Sequence, residues 1–182
     1  MATYTPQQLG ISAPSGAKLI PLTKGKFAIV DNKDFKWLSQ WKWWLHSTKW
    51  GEYAVRQKMV NRKVYNFSMH REILEHSGIN LAGLLVDHKN GNSLDNRKEN
   101  LRSATDSQNQ MNRLLISNQN KSGYKGVTLY RNGKWRSSTK LNQQNIHLGY
   151  FDSKEEAAKA YNKFAVDNFG EFAFLNQIGG GL

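Results

Sequence analysis

Residues 126–170 carry a run of local signals that leaves room for few folds. Gly126-Val127-Thr128-Leu129, Lys134-Trp135-Arg136-Ser137-Ser138 and Ile146-His147-Leu148-Gly149 read as three short strands. Asn132-Gly133 separates the first two. Both residue types tolerate positive φ, which a tight hairpin turn demands. Ser153-Lys154-Glu155-Glu156 then has the form of a capping box. The Ser hydroxyl accepts from one free helix N–H, and Glu156 reaches back to another. Ala157, Ala160, Tyr161, Phe164 and Ala165 follow as one apolar helical face, and Gly170 is a stop signal. The expectation is a three-stranded antiparallel sheet with one helix packed on it.

The first half of the chain is also built from short elements. Residues 1–17 are rich in Thr, Pro, Gln, Ser and Gly and read as a flexible arm. Residues 18–83 form a β-rich region. Lys18-Leu19-Ile20-Pro21-Leu22 and Phe27-Ala28-Ile29-Val30 flank Thr23-Lys24-Gly25-Lys26 and predict a hairpin. Asp31 or Asn32 is placed to cap a short helix with Phe35, Leu38 and Trp41 on one face. Alternation at Trp43/Leu45, Tyr53/Val55 and Tyr65/Phe67/Met69, broken at Gly51 and at Asn61-Arg62-Lys63, predicts a three-strand meander. The indoles of Trp37, Trp41, Trp43, Trp44 and Trp50 read most simply as a core, and stacking on bases is the sharper alternative. His70-Arg71-Glu72-Ile73-Leu74 opens a short helix that ends near Gly78.

Leu84 to His88 reads as a strand, an Asn/Asp-rich loop follows, and Asn100 to Ala104 reads as a second strand. Thr105 or Asp106 then caps a helix running to about Arg113. Residues 117–123 have linker composition, and residues 178–182 form a tail. The class is α+β.

Charge and composition limit the function. The formal net charge is +12 with a pI of about 9.9, which points to a polyanionic partner, although an ordinary basic protein has the same signature. There is no cysteine, so disulfides, thiolate nucleophiles and Cys-based zinc sites are excluded. No apolar run approaches the roughly 20 residues of a bilayer span. The first residues lack a basic segment followed by an apolar one. The expectation is a soluble, cytoplasmic protein with no membrane partner.

The stretch Val86-Asp87-His88-Lys89-Asn90-Gly91-Asn92 is the candidate site. A calcium loop starting at Asp87 fails, because Lys89 and Asn92 occupy positions that need an oxygen ligand and a glycine. Zinc is poorly served by one histidine. Magnesium fits better: Asp87 is a hard ligand, and a neutral His88 is a suitable base for water. An Asn-rich turn held by its own side chains accounts for the same composition. The residues alone leave both readings open.

A wider pattern adds to this. The Asp87-His88 stretch, then Asp95-Asn96-Arg97, Glu99-Asn100-Leu101-Arg102 and Ser107-Gln108-Asn109, strongly resembles the HNH nuclease signature of phage and group I intron homing endonucleases. His70-Arg71 fits the family's lead-in. The resemblance implies a ββα-metal core over residues 84–116, with one divalent ion, Mg2+ or Mn2+. It implies Asp87 and Asn109 as metal ligands, His88 as the general base, and Asn100 as the residue that braces the loop and orients that base. Asp87 and Asn109 stand where the family's name has histidines, and both bring oxygen. Arg71 is a candidate DNA contact, and His70 is either a phosphate contact or a structural residue.

The C-terminal module, residues 124–177, resembles an AP2 domain. The resemblance is carried by Tyr124-Lys125-Gly126-Val127, Gly133-Lys134-Trp135, His147-Leu148-Gly149-Tyr150-Phe151 and Glu155-Glu156-Ala157-Ala158. It implies readout of double-stranded DNA by a β-sheet, with Lys125, Thr128, Tyr130, Arg131, Lys140 and His147 as contact candidates. Trp135 and Tyr161 are expected to pack sheet against helix, with Ala157 and Ala158 allowing close approach. Together the two resemblances imply a monomeric, metal-dependent, homing-type DNA endonuclease. A non-catalytic DNA-binding regulator that keeps the HNH scaffold is the alternative, and an RNA-binding use of the Trp cluster is a third.

Overall fold

The computed structural model describes residue 6, residues 10–112 and residues 120–179. Compactness divides the chain into Met1–Thr105 and Asp106–Leu182. Among the described residues there are four small antiparallel sheets and four α-helices, a mixed α/β class. No described helix is long and apolar enough to cross a membrane.

The N-terminal unit starts with the expected hairpin, β1 (Ala17–Pro21) against β2 (Phe27–Asp31). A three-residue loop joins them, with Lys24 and Gly25 both at positive φ. Helix α1 (Asn32–Leu38) follows, with Asp31 as its N-cap residue. The Asp31 carboxylate does not cap this helix; it accepts from the Lys98 N–H at 2.9 Å. The meander forms as β3 (Trp44–Thr48), β4 (Gly51–Val60) and β5 (Lys63–Ser68). Asn61 and Arg62, at φ 49° and 60°, make the tight turn between β4 and β5. Helix α2 (Met69–His76) closes the region before Gly78. The core joins Ile20, Ala28, Val30, Leu38, Trp43, Ala54, Met69, Ile73, Leu74, Leu81 and Leu101.

The Trp-cluster expectation needs correcting. Trp43 alone is fully in the core, where its indole N–H donates to the Leu38 carbonyl at 2.9 Å. Trp41 lies beyond α1 and is 44 % exposed, with its face over the Arg56 guanidinium at 4.2 Å. Trp37 stacks on His76 at 4.5 Å, and Trp50 is half exposed beside Lys49. An indole is large, and its N–H must find a partner, so four of the five settle at the edge of the core and two of these lie against cations.

Strand β6 (Leu85–His88) pairs with β7 (Leu101–Ala104), and helix α3 (Asp106–Asn112) comes next. The expected helix end at Arg113 lies outside the described residues. By compactness α3 belongs to the second unit, whereas the sequence groups it with residues 84–116. The reason is physical. Met111 packs against the Tyr161, Ala165 and Phe169 cluster, and the Lys125 ammonium donates to the Met111 carbonyl.

The C-terminal sheet is β8 (Val127–Leu129), β9 (Trp135–Leu141) and β10 (Gln144–Phe151), in the order β10-β9-β8. The last two strands run longer than expected, because Asn142 and Gln143 turn tightly at positive φ without a glycine. Helix α4 (Lys154–Phe169) carries the full capping box and ends at Gly170. Its most buried small residues are Ala157, Ala158 and Ala165; Ala160 is only partly covered. Gly126, at φ +76°, lets α4 come in: a Cβ there would lie 2.2 Å from the Tyr161 ring. Trp135 and Tyr161 pack between sheet and helix as expected.

The described part of the expected linker is structured. Ser122 is buried, and its hydroxyl donates to the Val127 carbonyl at 2.8 Å. Ile178, in the expected tail, packs on the Val127, Ala157 and Ala158 cluster. Residues 1–5, 7–9, 117–119 and 180–182 of the expected arm, linker and tail lie outside the described residues.

Candidate functional site

The short β6–β7 ladder sets Asp87 opposite Arg102 and His88 opposite Leu101. Neighbouring strand residues point to opposite faces. Asp87 and His88 therefore diverge, yet both are buried, at 5 % and 6 % exposure. Arg102 grips Asp87 through Oδ2, with Nε at 2.8 Å and Nη2 at 2.7 Å. This cross-strand pair fixes the carboxylate's orientation.

His88 sits among rings. His70 meets it edge-on, with centroids 5.3 Å apart, and Tyr53 lies 6.3 Å away. The Asn96 Oδ1 is 3.5 Å from Nε2, at the outer limit of a hydrogen bond. Burial holds the His88 pKa below its usual value, against the opposing pull of Asn96, Asp87 and Asp95. The imidazole is therefore neutral at neutral pH, with a lone pair to accept a proton. His70 is pushed down to about 3, by burial first and then by His88 and Arg71. Its Nδ1 is buried without a hydrogen-bond partner.

The loop between the strands is held by its own side chains. Asn90 Oδ1 accepts from the Asn92 N–H, and Asn92 Oδ1 from the Leu94 N–H. Asp95 accepts from Arg97 Nε and Nη2, both at 2.8 Å, and from Asn90 Nδ2 at 2.9 Å. Asn100 spans the loop: its Nδ2 donates to the Asp95 carbonyl at 2.7 Å, and its Oδ1 accepts from the Asn90 N–H at 2.9 Å. The loop also docks on β2, where Ile29 N–H donates to the Leu94 carbonyl and Asn96 N–H to the Ile29 carbonyl. The Asn-rich turn and the Asp-His pair thus divide the work. The amides and Asp95 build the loop, which carries His88 at its start.

Arg71 is spent on structure. Its guanidinium donates to the Leu84 and Leu81 carbonyls at 3.0 and 2.7 Å and pairs with Glu75. Asn109 lies on α3 in the C-terminal unit. Among the described residues, no three His, Asp or Glu side chains are grouped to hold a metal ion. The available donors are a carboxylate and side-chain amides. That set suits a hard cation that keeps much of its water, and not zinc.

In the C-terminal unit, Thr128, Tyr130, Lys140 and His147 are exposed, and Arg131 is on an exposed loop. Alternation in β9 adds Arg136 to the same outward face, paired with Thr128 and Tyr150. Tyr150 touches Tyr130 at 4.7 Å and His147 at 4.6 Å. Arg136 and Tyr150 escape the sequence reading, although the two-residue period of β9 places Arg136 with Lys140. Lys125 points inward, its ammonium on the Met111 carbonyl and 5.5 Å from the Phe174 ring centroid, and burial pushes its pKa down to about 8.

Residues 69–111, which span α2, the β6–β7 pair and most of α3, match the HNH endonuclease family. The chain is also 30 % identical, over 156 residues, to a protein named uncharacterized HNH endonuclease L560 of Acanthamoeba polyphaga mimivirus. That match covers 85 % of this chain and 77 % of the viral protein. The chain belongs to the HNH endonuclease family. Nuclease function and a DNA substrate follow from that membership, and HNH nucleases are in general dependent on a divalent metal. Shorter similarities reach two plant proteins. One is an ethylene-responsive transcription factor-like protein, At4g13040, of Arabidopsis thaliana, 41 % identical over 56 residues. The other is APETALA2-like protein 2 of Oryza sativa subsp. indica, 40 % identical over 57 residues. These cover 31 % and 30 % of this chain, and 24 % and 13 % of the plant proteins. No solved structure matches.

Proposed function

We propose that this HNH endonuclease is a homing-type, sequence-directed enzyme that hydrolyses phosphodiester bonds in double-stranded DNA. The observation that carries the reading is the buried, neutral His88 beside the Arg102-gripped Asp87. His88 takes the proton from the attacking water. Asn100 and Asn90 hold the loop so that the imidazole does not swing during the transfer. Asp87 would hold a divalent ion, with Asn109 as the second ligand that the family resemblance gives. Mg2+ or Mn2+ suits these oxygens. When bound, such an ion supplies charge stabilisation to the phosphoryl group and the leaving 3′ oxygen. Arg102 already places positive charge on Asp87, so the site gains affinity for a cation when a substrate phosphate arrives.

The exposed face of Thr128, Tyr130, Arg136, Lys140 and His147 supplies address and affinity, in the manner of the AP2 resemblance. The plant relatives' names support that reading of the C-terminal unit. Arg71 and Lys125 leave the list of DNA contacts, because their charges are engaged inside the fold.

The test is to incubate the full chain with supercoiled plasmid carrying its own coding locus and flanks, with Mg2+ and then with EDTA. Nicked or linear product that disappears with EDTA is expected. Tight DNA binding with no product under Mg2+ or Mn2+ would instead favour the non-catalytic regulator.

A further inference from the structure

Helix α3 has seven residues, too few for a helix to persist in water by its own hydrogen bonds. It has no basic residue in its last turn to meet its C-terminal carbonyls. Both deficits are supplied from within the C-terminal unit. The Lys125 Nζ donates to the Met111 carbonyl at 2.5 Å. The Met111 side chain packs on the cluster of Tyr161, Ala165 and Phe169, the inner face of α4. Asn112 is buried as well. Beside these contacts, Ser107, Gln110, Lys140 and Tyr161 line a polar cavity of about 590 Å3, so the helix is held chiefly at its C-terminal end. At about 100° per residue, Asn109 projects from nearly the opposite side of α3 to Met111.

We propose that Lys125 and Met111 make the C-terminal unit the support that keeps α3 folded and Asn109 aimed, and that Lys125 is a positioning residue for the metal site. The DNA-addressing unit is then not a detachable tag on a self-sufficient nuclease. It finishes the nuclease by holding one ligand-bearing helix. The burial of the Lys125 ammonium is the cost of that role, and it explains why a cation next to an exposed DNA-facing sheet is turned inward. The link to the metal rests on the proposed assignment of Asn109, while the docking of α3 does not.

The experiment compares full-length wild type with Lys125→Met, Lys125→Arg and Met111→Ala. Three quantities are read: hydrogen exchange at amides 106–112, DNA affinity, and the Mg2+ concentration for half-maximal cleavage. Lys125→Met and Met111→Ala should each raise exchange in α3 at least tenfold while β8–β10 stay protected. DNA affinity should remain within about twofold. The Mg2+ requirement should rise several-fold, Lys125→Arg should restore it in part, and Lys125→Met should add little in an Asn109→Ala background. Unchanged exchange in α3 in both variants would overturn the docking. Raised exchange with an unchanged Mg2+ requirement would overturn the positioning role. If wild type does not cut DNA at all, the proposed catalytic reading fails, and the exchange data still decide whether Lys125 holds α3.

Discussion

Replacing His70 by Gln removes a buried imidazole that the fold keeps neutral. In the folded chain its pKa is pushed down to about 3 from the ordinary 6.5. Desolvation dominates, and His88 and Arg71 add repulsion to any charge placed there. Tyr53, 5.6 Å away edge-on, offers no compensating charge. Between pH 6.5 and 3 the unfolded chain therefore binds a proton at this residue that the folded chain refuses. Stability is full above the unfolded pKa and falls as the pH drops through this window. From pH 7 to pH 5 the loss from this one residue is about 2 kcal/mol, taking 1.36 kcal/mol per pH unit below 6.5. That corresponds to a fall in melting temperature on the order of 10 °C for a unit of this size. Thermal or urea unfolding at the two pH values gives the difference directly. His70→Gln should remove about that share of the acid sensitivity, and the wild-type His70 ring resonance should not titrate between pH 5 and 8. A ring that titrates near 6.5, or a variant with the same acid loss as wild type, would refute the reasoning.

Two other substitutions address the catalytic and packing claims. His88→Ala should reduce cleavage by about 10²–10⁴-fold, with DNA affinity kept, because only a proton acceptor has gone; single-turnover cleavage and a binding titration together check this. Gly126→Ala should destabilise the C-terminal unit by about 2–4 kcal/mol, because the new Cβ meets the Tyr161 ring at 2.2 Å and the Ser138 carbonyl at 2.8 Å at a strained φ of +76°. A melting temperature within a degree of wild type would show that the sheet and helix part easily.

What could be read in the sequence is what neighbours along the chain decide. The hairpin at Thr23-Lys24-Gly25, the tight turn after Val60, the capping box at Ser153 and the strand–loop–strand around Asp87 rest on residues within a few positions of one another. Turn chemistry, capping and two-residue alternation are local physics, and the residues alone express them. The pairing of Asp87 with a catalytic-type histidine was legible for the same reason, since the two are adjacent. Partners that are distant in sequence were not legible. Arg71 and Lys125 look like free cations on paper, and in the fold each is spent on main-chain carbonyls, 10 and 13 residues away for Arg71 and 14 for Lys125. The indoles of Trp41 and Trp50 have core composition but surface positions, because burying a large ring requires space and a hydrogen-bond acceptor that only the assembled sheet can offer. The grouping of α3 with the C-terminal unit is the clearest case. A seven-residue helix has no stability of its own to announce, so its place is decided by the Met111 and Lys125 contacts that hold it, and these exist only once β8–β10 and α4 have folded.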